Sequence, residues 1–189
     1  MLLLERLTTE DLDGLWDEEA VAIVAGLYAD LHTAPLPQLP VLVPWAAEIL
    51  GRSAAAGVPR RYVEQARSSL RSLEELGGER LLHGDLHYGN VLSDGTDWVA
   101  IDPKPIVGHP AWEVGPLLTN RWAEMGTGAS LRWSVRRRVE VVCDVTGLDE
   151  DLVRAVSALR AVVGAIWGVE DGDAEAVSRA VTLVKALGD

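Results

Sequence analysis

The chain has 189 residues, 48% apolar and 24% charged, which is enough for one cored domain or two small lobes and too apolar for disorder. Its formal net charge of −12 argues against duplex nucleic acid or an anionic membrane as the main partner, and it is compatible with a cationic ligand. With one cysteine, Cys143, no disulfide can form within the chain, so the expected compartment is a reducing cytoplasm.

The first residues, MLLLERL, read as a short strand over 2–4 that Glu5 interrupts. They have no basic start, so a signal peptide is not expected. Residues 17–31 read as a helix: Asp17 can cap it, and Val21, Val24, Ala25, Tyr28 and Leu31 recur at helical spacing. The uncharged stretch 31–47 carries Pro35, Pro37, Pro40 and Pro44, which makes it a loop and not a membrane span. A short helix is expected over 46–52. A longer one over 60–76 carries Tyr62, Ala66, Leu70 and Leu73 on one stripe and stops at Gly77–Gly78.

The period then changes. RLLHG, NVLS and WVAID read as three short strands, the last two joined by Asp94–Gly95, a hairpin turn signal. A loop rich in proline follows Asp102. Four helices complete the chain, over 112–125, over 131–145, after a cap at Asp149 and after a cap at Asp173. The fold expected is mainly α with one small antiparallel β patch carrying the polar residues, an α+β arrangement without βαβ alternation.

Those polar residues concentrate in LLHGDLHYGNVLSDGTDWVAIDPKP, residues 81–105. His83, Asp85 and His87 alternate and could grip zinc from one face of a strand, which would make a metallohydrolase. The flanking Gly84 and Gly89 favour a loop instead. His83, Asp85 and Asn90 also fit H-x-D-x-x-x-x-N, the spacing of a kinase catalytic loop. Phosphoryl transfer needs an aspartate for the attacking hydroxyl, an amide that holds Mg²⁺ without adding charge, and a second carboxylate for the metal. The hairpin after Asn90 returns the chain to such a carboxylate, Asp102.

HGDLHYGNVL, VAIDP and the continuation DPKPIVGHPAWEVGPLLTNRW resemble the aminoglycoside phosphotransferase family, relatives of protein kinases, in its streptomycin and hydroxyurea branch. The resemblance covers residues 81–122. It implies a protein-kinase-like large lobe, with ATP as phosphoryl donor, Mg²⁺ as cofactor and a small-molecule hydroxyl as acceptor. It makes Asp85 the catalytic base, and Asn90 and Asp102 the metal ligands. His83 braces the loop, and His87 stands near the transferred phosphoryl group. Lys104 is added on charge alone, as an ammonium that can meet phosphate or substrate. Glu113 falls where relatives carry an aspartate and reads as scaffold. Tyr88 reads as packing, and His109 as a solvated loop residue.

By the same resemblance, residues 1–7 read as the hinge strand of a small lobe, with backbone near Glu5 and Leu7 meeting adenine, and residues 8–189 as the large lobe. No G-x-G-x-x-G is present and Lys104 is the first lysine, so little turnover is expected of this polypeptide alone. A non-catalytic binding lobe is the alternative from another class. Apolar surface near Leu2 to Leu7 would offer a route to a homodimer. Glu170, Asp171, Asp173 and Glu175 form an acidic cluster that could attract a polycation.

Overall fold

A computed structural model describes residues 6–188. Helix α1 is Asp17–Gly26 and α2 is the single turn Tyr28–Leu31, while α3 is Leu42–Gly51 and α4 is Arg60–Leu76. Four three-residue strands follow: β1 Arg80–Leu82, β2 Val91–Ser93, β3 Trp98–Ala100 and β4 Ile106–Gly108. The rest is helical, with α5 Val114–Leu117, α6 Ala129–Thr146, α7 Glu150–Asp171 and α8 Ala174–Leu187.

The long helices form where an apolar stripe and punctuation agree. In α4, Tyr62, Val63, Ala66, Leu70 and Leu73 are buried, and Gly77 in a positive-φ conformation ends the helix with its N–H on the Leu73 carbonyl. Asp149 caps α7 by accepting the Leu152 N–H, and Asp173 caps α8 by accepting that of Ala176. Helix α7 lies at the centre, packed against α4 and α8 and also touching α3, α5 and α6. It is long and apolar enough to cross a membrane by composition, but 61% of that apolar window is buried inside this fold, as a central core helix requires. Burial pushes the half-buried Cys143 thiol up to about 11, with Glu150, Asp149 and Asp144 adding to the shift, so it stays protonated at neutral pH.

Several sequence expectations are corrected. The expected single β patch is two separate antiparallel pairs, β1 with β4 and β2 with β3. Strand β4 lies in the stretch read as loop, where Leu81 pairs with Val107. The helix expected over 17–31 breaks at Leu27. Asp17 does not cap it, because Trp16 holds the cap position and the Asp17 carboxylate turns inward. Helix α3 starts four residues early, at Leu42, with Pro44 in the first turn, where no N–H is needed. The helix expected over 112–125 is instead a 3₁₀ turn, the short α5, and a second 3₁₀ turn entered through left-handed Arg121. The strand expected over 2–4 and the role given to Glu5 lie outside the described residues. So does most of the surface suggested for a homodimer.

Candidate active site

The segment from His83 to Asn90 leaves β1, makes a tight loop and enters β2. It is pinned from several directions. The buried Glu113 carboxylate accepts the N–H of His83 at 2.7 Å and of Gly84 at 2.9 Å. Arg160 of α7 donates to the Gly84 carbonyl at 2.6 Å and to that of Trp112 at 3.0 Å. The Lys104 N–H donates to the His83 carbonyl at 2.8 Å. Gly84 sits at φ +83°, and a Cβ there would lie 2.0 Å from the Lys104 carbonyl oxygen. Only glycine lets the two loops meet this closely.

His83 spends both ring nitrogens on the scaffold. Nδ1 accepts the Asp85 N–H at 3.3 Å, and Nε2 then donates to the Ile101 carbonyl at 2.9 Å. It therefore braces the loop and has no lone pair left for zinc. Among the described residues, no group of three or more His, Cys, Asp or Glu side chains converges as a metal cage. The metallohydrolase reading fails on this geometry.

Asn90 is buried, and its amide nitrogen donates to the Asp85 carbonyl at 2.8 Å, which leaves its side-chain oxygen as an acceptor. The Asn90 backbone carbonyl takes the Ile101 N–H across the β2–β3 pair. Asp102, at the end of that hairpin, has φ +54° and an exposed carboxylate. An aspartate adopts this left-handed geometry more readily than most residues, and such positions concentrate at functional sites. The Lys104 ammonium lies 2.9 Å from Asp102 Oδ2 and 3.6 Å from Asp85 Oδ2. The hydrogen bond and charge of Lys104 hold Asp102 below the usual carboxylate range, and Asp102 in turn raises Lys104. Two carboxylates thus face one cation.

A deeper frame supports the loop from behind. Arg138 of α6, buried, grips both oxygens of Asp17 at 2.7 and 2.8 Å and donates to the Leu117 and Asn120 carbonyls. The buried Tyr88 hydroxyl donates to Asp17 Oδ1 at 3.0 Å, and the Asn120 side chain accepts the Tyr88 N–H. Partial burial pushes Asp17 upward, but Arg138, the Tyr88 hydroxyl and Arg121 together outweigh it and the net shift is downward. His109 is not a solvated loop residue: it is half-buried and accepts the Ala111 N–H at the start of a 3₁₀ turn, and burial lowers its ring below the ordinary value.

Asp85 and His87 stand at the mouth of a cavity of about 360 Å³ between α5, α7 and α8. A second cavity of about 250 Å³, which also has Asp85 in its lining, is walled by Trp45, Trp112 and Trp167. These indoles meet edge to face, with Trp45 5.9 Å from Trp112 and 5.6 Å from Trp167. The acidic cluster of Glu170, Asp171, Asp173 and Glu175 lines neither cavity. Glu170 pairs with Arg52, Glu175 pairs with Arg179, and Asp173 is used as the α8 cap. Sequence reasoning gave no role to Arg160, Arg138, Asn120 or Ser157. An arginine on the apolar stripe of α7 was the one visible signal, whereas the Asp17–Arg138 pair spans 121 positions and leaves none.

The architecture is that of a kinase-like phosphotransferase lobe. It matches an aminoglycoside phosphotransferase solved as a ternary complex with ADP and hygromycin B with a TM-score of 0.63 and 18% identity, over 97% of this chain and 71% of that one. The chain belongs to the aminoglycoside/hydroxyurea antibiotic resistance kinase family, whose model matches residues 1–172. It is 35% identical to the streptomycin 6-kinase of Streptomyces glaucescens and 37% identical to the hydroxyurea phosphotransferase of Kitasatospora aureofaciens, each over 98% of this chain. It spans 64% and 56% of the length of those two relatives.

Proposed function

We propose that this chain carries the catalytic and metal-binding loops of an ATP- and Mg²⁺-dependent phosphotransferase acting on a small-molecule hydroxyl, with streptomycin and hydroxyurea as the acceptors its relatives suggest. The observation that carries the reading is the contact of one ammonium, that of Lys104, with the carboxylates of both Asp85 and Asp102. Two loops separated in sequence by a hairpin present their acids to one cation position.

In this reading Asp85 accepts the proton of the acceptor hydroxyl at the cavity mouth. Its carboxylate is held there by the scaffold, since its own N–H and carbonyl are tied to His83 and Asn90. Asn90 and Asp102 hold Mg²⁺, which when bound neutralises charge on the transferring phosphate. Lys104 and His87 stand where phosphate oxygens would arrive, Lys104 turning from Asp102 toward them. Adenine would meet backbone near Leu7. The Thr8 N–H donates to the Ser93 carbonyl at 2.8 Å, which sets Leu7 beside the β2–β3 pair.

Phosphoryl transfer is mainly positioning and charge stabilisation. These residues contain no glycine-rich phosphate loop, so the 189-residue polypeptide is expected to turn over well below the ~1 s⁻¹ low end for kinases. A transfer assay with radiolabelled γ-phosphate detects such slow turnover. Asp85→Asn should cut the rate by about 10²–10⁴-fold, the usual worth of a general base. Mn²⁺-induced broadening of resonances near Asn90 and Asp102 should vanish in Asp102→Asn. Label transfer that is indifferent to Asp85→Asn, or Mn²⁺ that ignores Asp102, would end this reading.

A further inference from the structure

The cation shared by Asp85 and Asp102 belongs to the chain itself. Lys104 is one of two lysines among the 17 lysines and arginines of the sequence, the other being Lys185 in the last turn of α8. Its ammonium lies 2.9 Å from Asp102 Oδ2 and 3.6 Å from Asp85 Oδ2. The backbone that carries it is fixed. The Lys104 N–H donates to the His83 carbonyl, and the Lys104 carbonyl fills the space that a Cβ at Gly84 would need. Pro103 and Pro105 flank the residue and restrict the backbone on both sides. Lys104 also lines the smaller cavity together with Asp85.

Two carboxylates at one position repel unless a cation lies between them. With Lys104 in place, one positive charge answers two negative ones. A divalent ion balances the pair exactly as the ammonium leaves, whereas a retained ammonium would crowd like charges into one position. Lys104 is built to leave. The side chains of Lys104, Asp85 and Asp102 are 59%, 36% and 68% exposed, and ion pairs this open are weak. An ammonium is a point charge on a flexible stem, whereas an arginine would clamp a carboxylate with two parallel hydrogen bonds. While the ammonium stays, it also occupies Asp85, the base of the phosphotransferase reading. One side chain thus closes the cation position and the base together.

We propose that Lys104 is a tethered counter-cation that fills the position between Asp85 and Asp102 and competes there with a divalent ion, so that base and metal position open in one event. The inference rests on the phosphotransferase reading for the identity of the competing ion. Lysine-selective ¹⁵N labelling of the 189-residue chain gives two ammonium resonances, from Lys104 and from exposed Lys185. They are read in cold, mildly acidic buffer, where ammonium protons exchange slowly. Without metal, the Lys104 resonance should stand apart from that of Lys185 and move toward it in Asp102→Asn. Millimolar Mg²⁺ should move it the same way in the parent chain and leave Lys185 in place.

Mn²⁺ affinity, read from paramagnetic broadening, is the second measurement. Lys104→Met should bind Mn²⁺ about two- to thirtyfold more tightly than the parent, the worth of two exposed ion pairs. Lys104→Arg should bind it more weakly, because a forked guanidinium holds carboxylates better. A merely structural Lys104 would not move the two variants in opposite directions. Lys185→Met makes the same change in net charge away from the site and should leave the affinity within about twofold. Ammonium resonances that coincide, a Lys104 resonance indifferent to Mg²⁺, or an Mn²⁺ affinity that Lys104→Met leaves unchanged or weakens would each overturn the proposal. Mn²⁺ bound equally by the parent and Lys104→Met, and lost in Asp102→Asn, sinks the counter-cation and spares the phosphotransferase reading. Mn²⁺ bound by neither sinks both, and label transfer indifferent to Asp85→Asn sinks that reading alone.

Discussion

Gly84→Ala tests the junction on which the site depends. A Cβ at Gly84 would lie 2.0 Å from the Lys104 carbonyl oxygen, and ordinary contact begins at 3.4 Å, so the two loops must separate by about 1.4 Å. The obstruction is backbone and cannot rotate away. At φ +83° an alanine also pays about 1–2 kcal/mol for left-handed geometry. Overpacking adds about 1–3 kcal/mol. The expected loss is therefore about 2–5 kcal/mol, or roughly 4–20 °C in Tm for a chain of this size. Thermal denaturation followed by circular dichroism reads it directly. Gly164→Ala, inside α7 with no atom within 4 Å, is the control and should gain about 0.5–1 kcal/mol. Mn²⁺ binding should weaken in Gly84→Ala, because the loop carrying Asp102 has moved. A Tm within a degree or two of the parent, with Mn²⁺ binding intact, would refute the idea that Gly84 sets the spacing of the two loops.

Arg138→Met should cost about 3–5 kcal/mol in urea denaturation, since it strands the Asp17 carboxylate and two backbone carbonyls. The pH dependence has a definite sign. Asp17 is depressed below 3.8 in the folded state, so its contribution is complete above that value and is lost as pH falls through the folded pKa. Asp17→Asn should flatten the fall of Tm below about pH 4 and leave the slope near neutrality unchanged. Glu113→Gln keeps the shape but turns one of two acceptors into a donor facing an N–H, and a destabilisation of about 1–3 kcal/mol should appear in the same denaturation assay.

Legibility in the sequence followed the range of the interactions. Helices α4, α7 and α8 were readable because stripe, cap and stop are all local, and α4 falls on its expected residues. The residues of the central loop were readable because Asp85, Asn90 and Asp102 lie within one hairpin of each other. What holds them there was not. Left-handed Arg121 breaks the helix expected over 112–125, and its guanidinium reaches the Leu12 and Leu15 carbonyls more than 100 positions away. Strand β4 exists because β1 is there to pair with it, and three residues carry too little pattern to announce themselves. The pairing of Glu170 with Arg52 and of Glu175 with Arg179 was not legible, because charge is visible in sequence and ion pairing is not.

The tryptophan cluster has an optical consequence. Trp45, Trp112 and Trp167 lie within 6 Å of their neighbours beside Asp85, with Arg160 over one indole face. Trp16 and Trp133 are largely exposed and give a steady red-shifted background. The three clustered rings share the wall of the smaller cavity, so their emission reports on whatever fills it. The protein therefore carries its own fluorophore for whatever enters that smaller cavity, and a titration can be read in the native chain without a label.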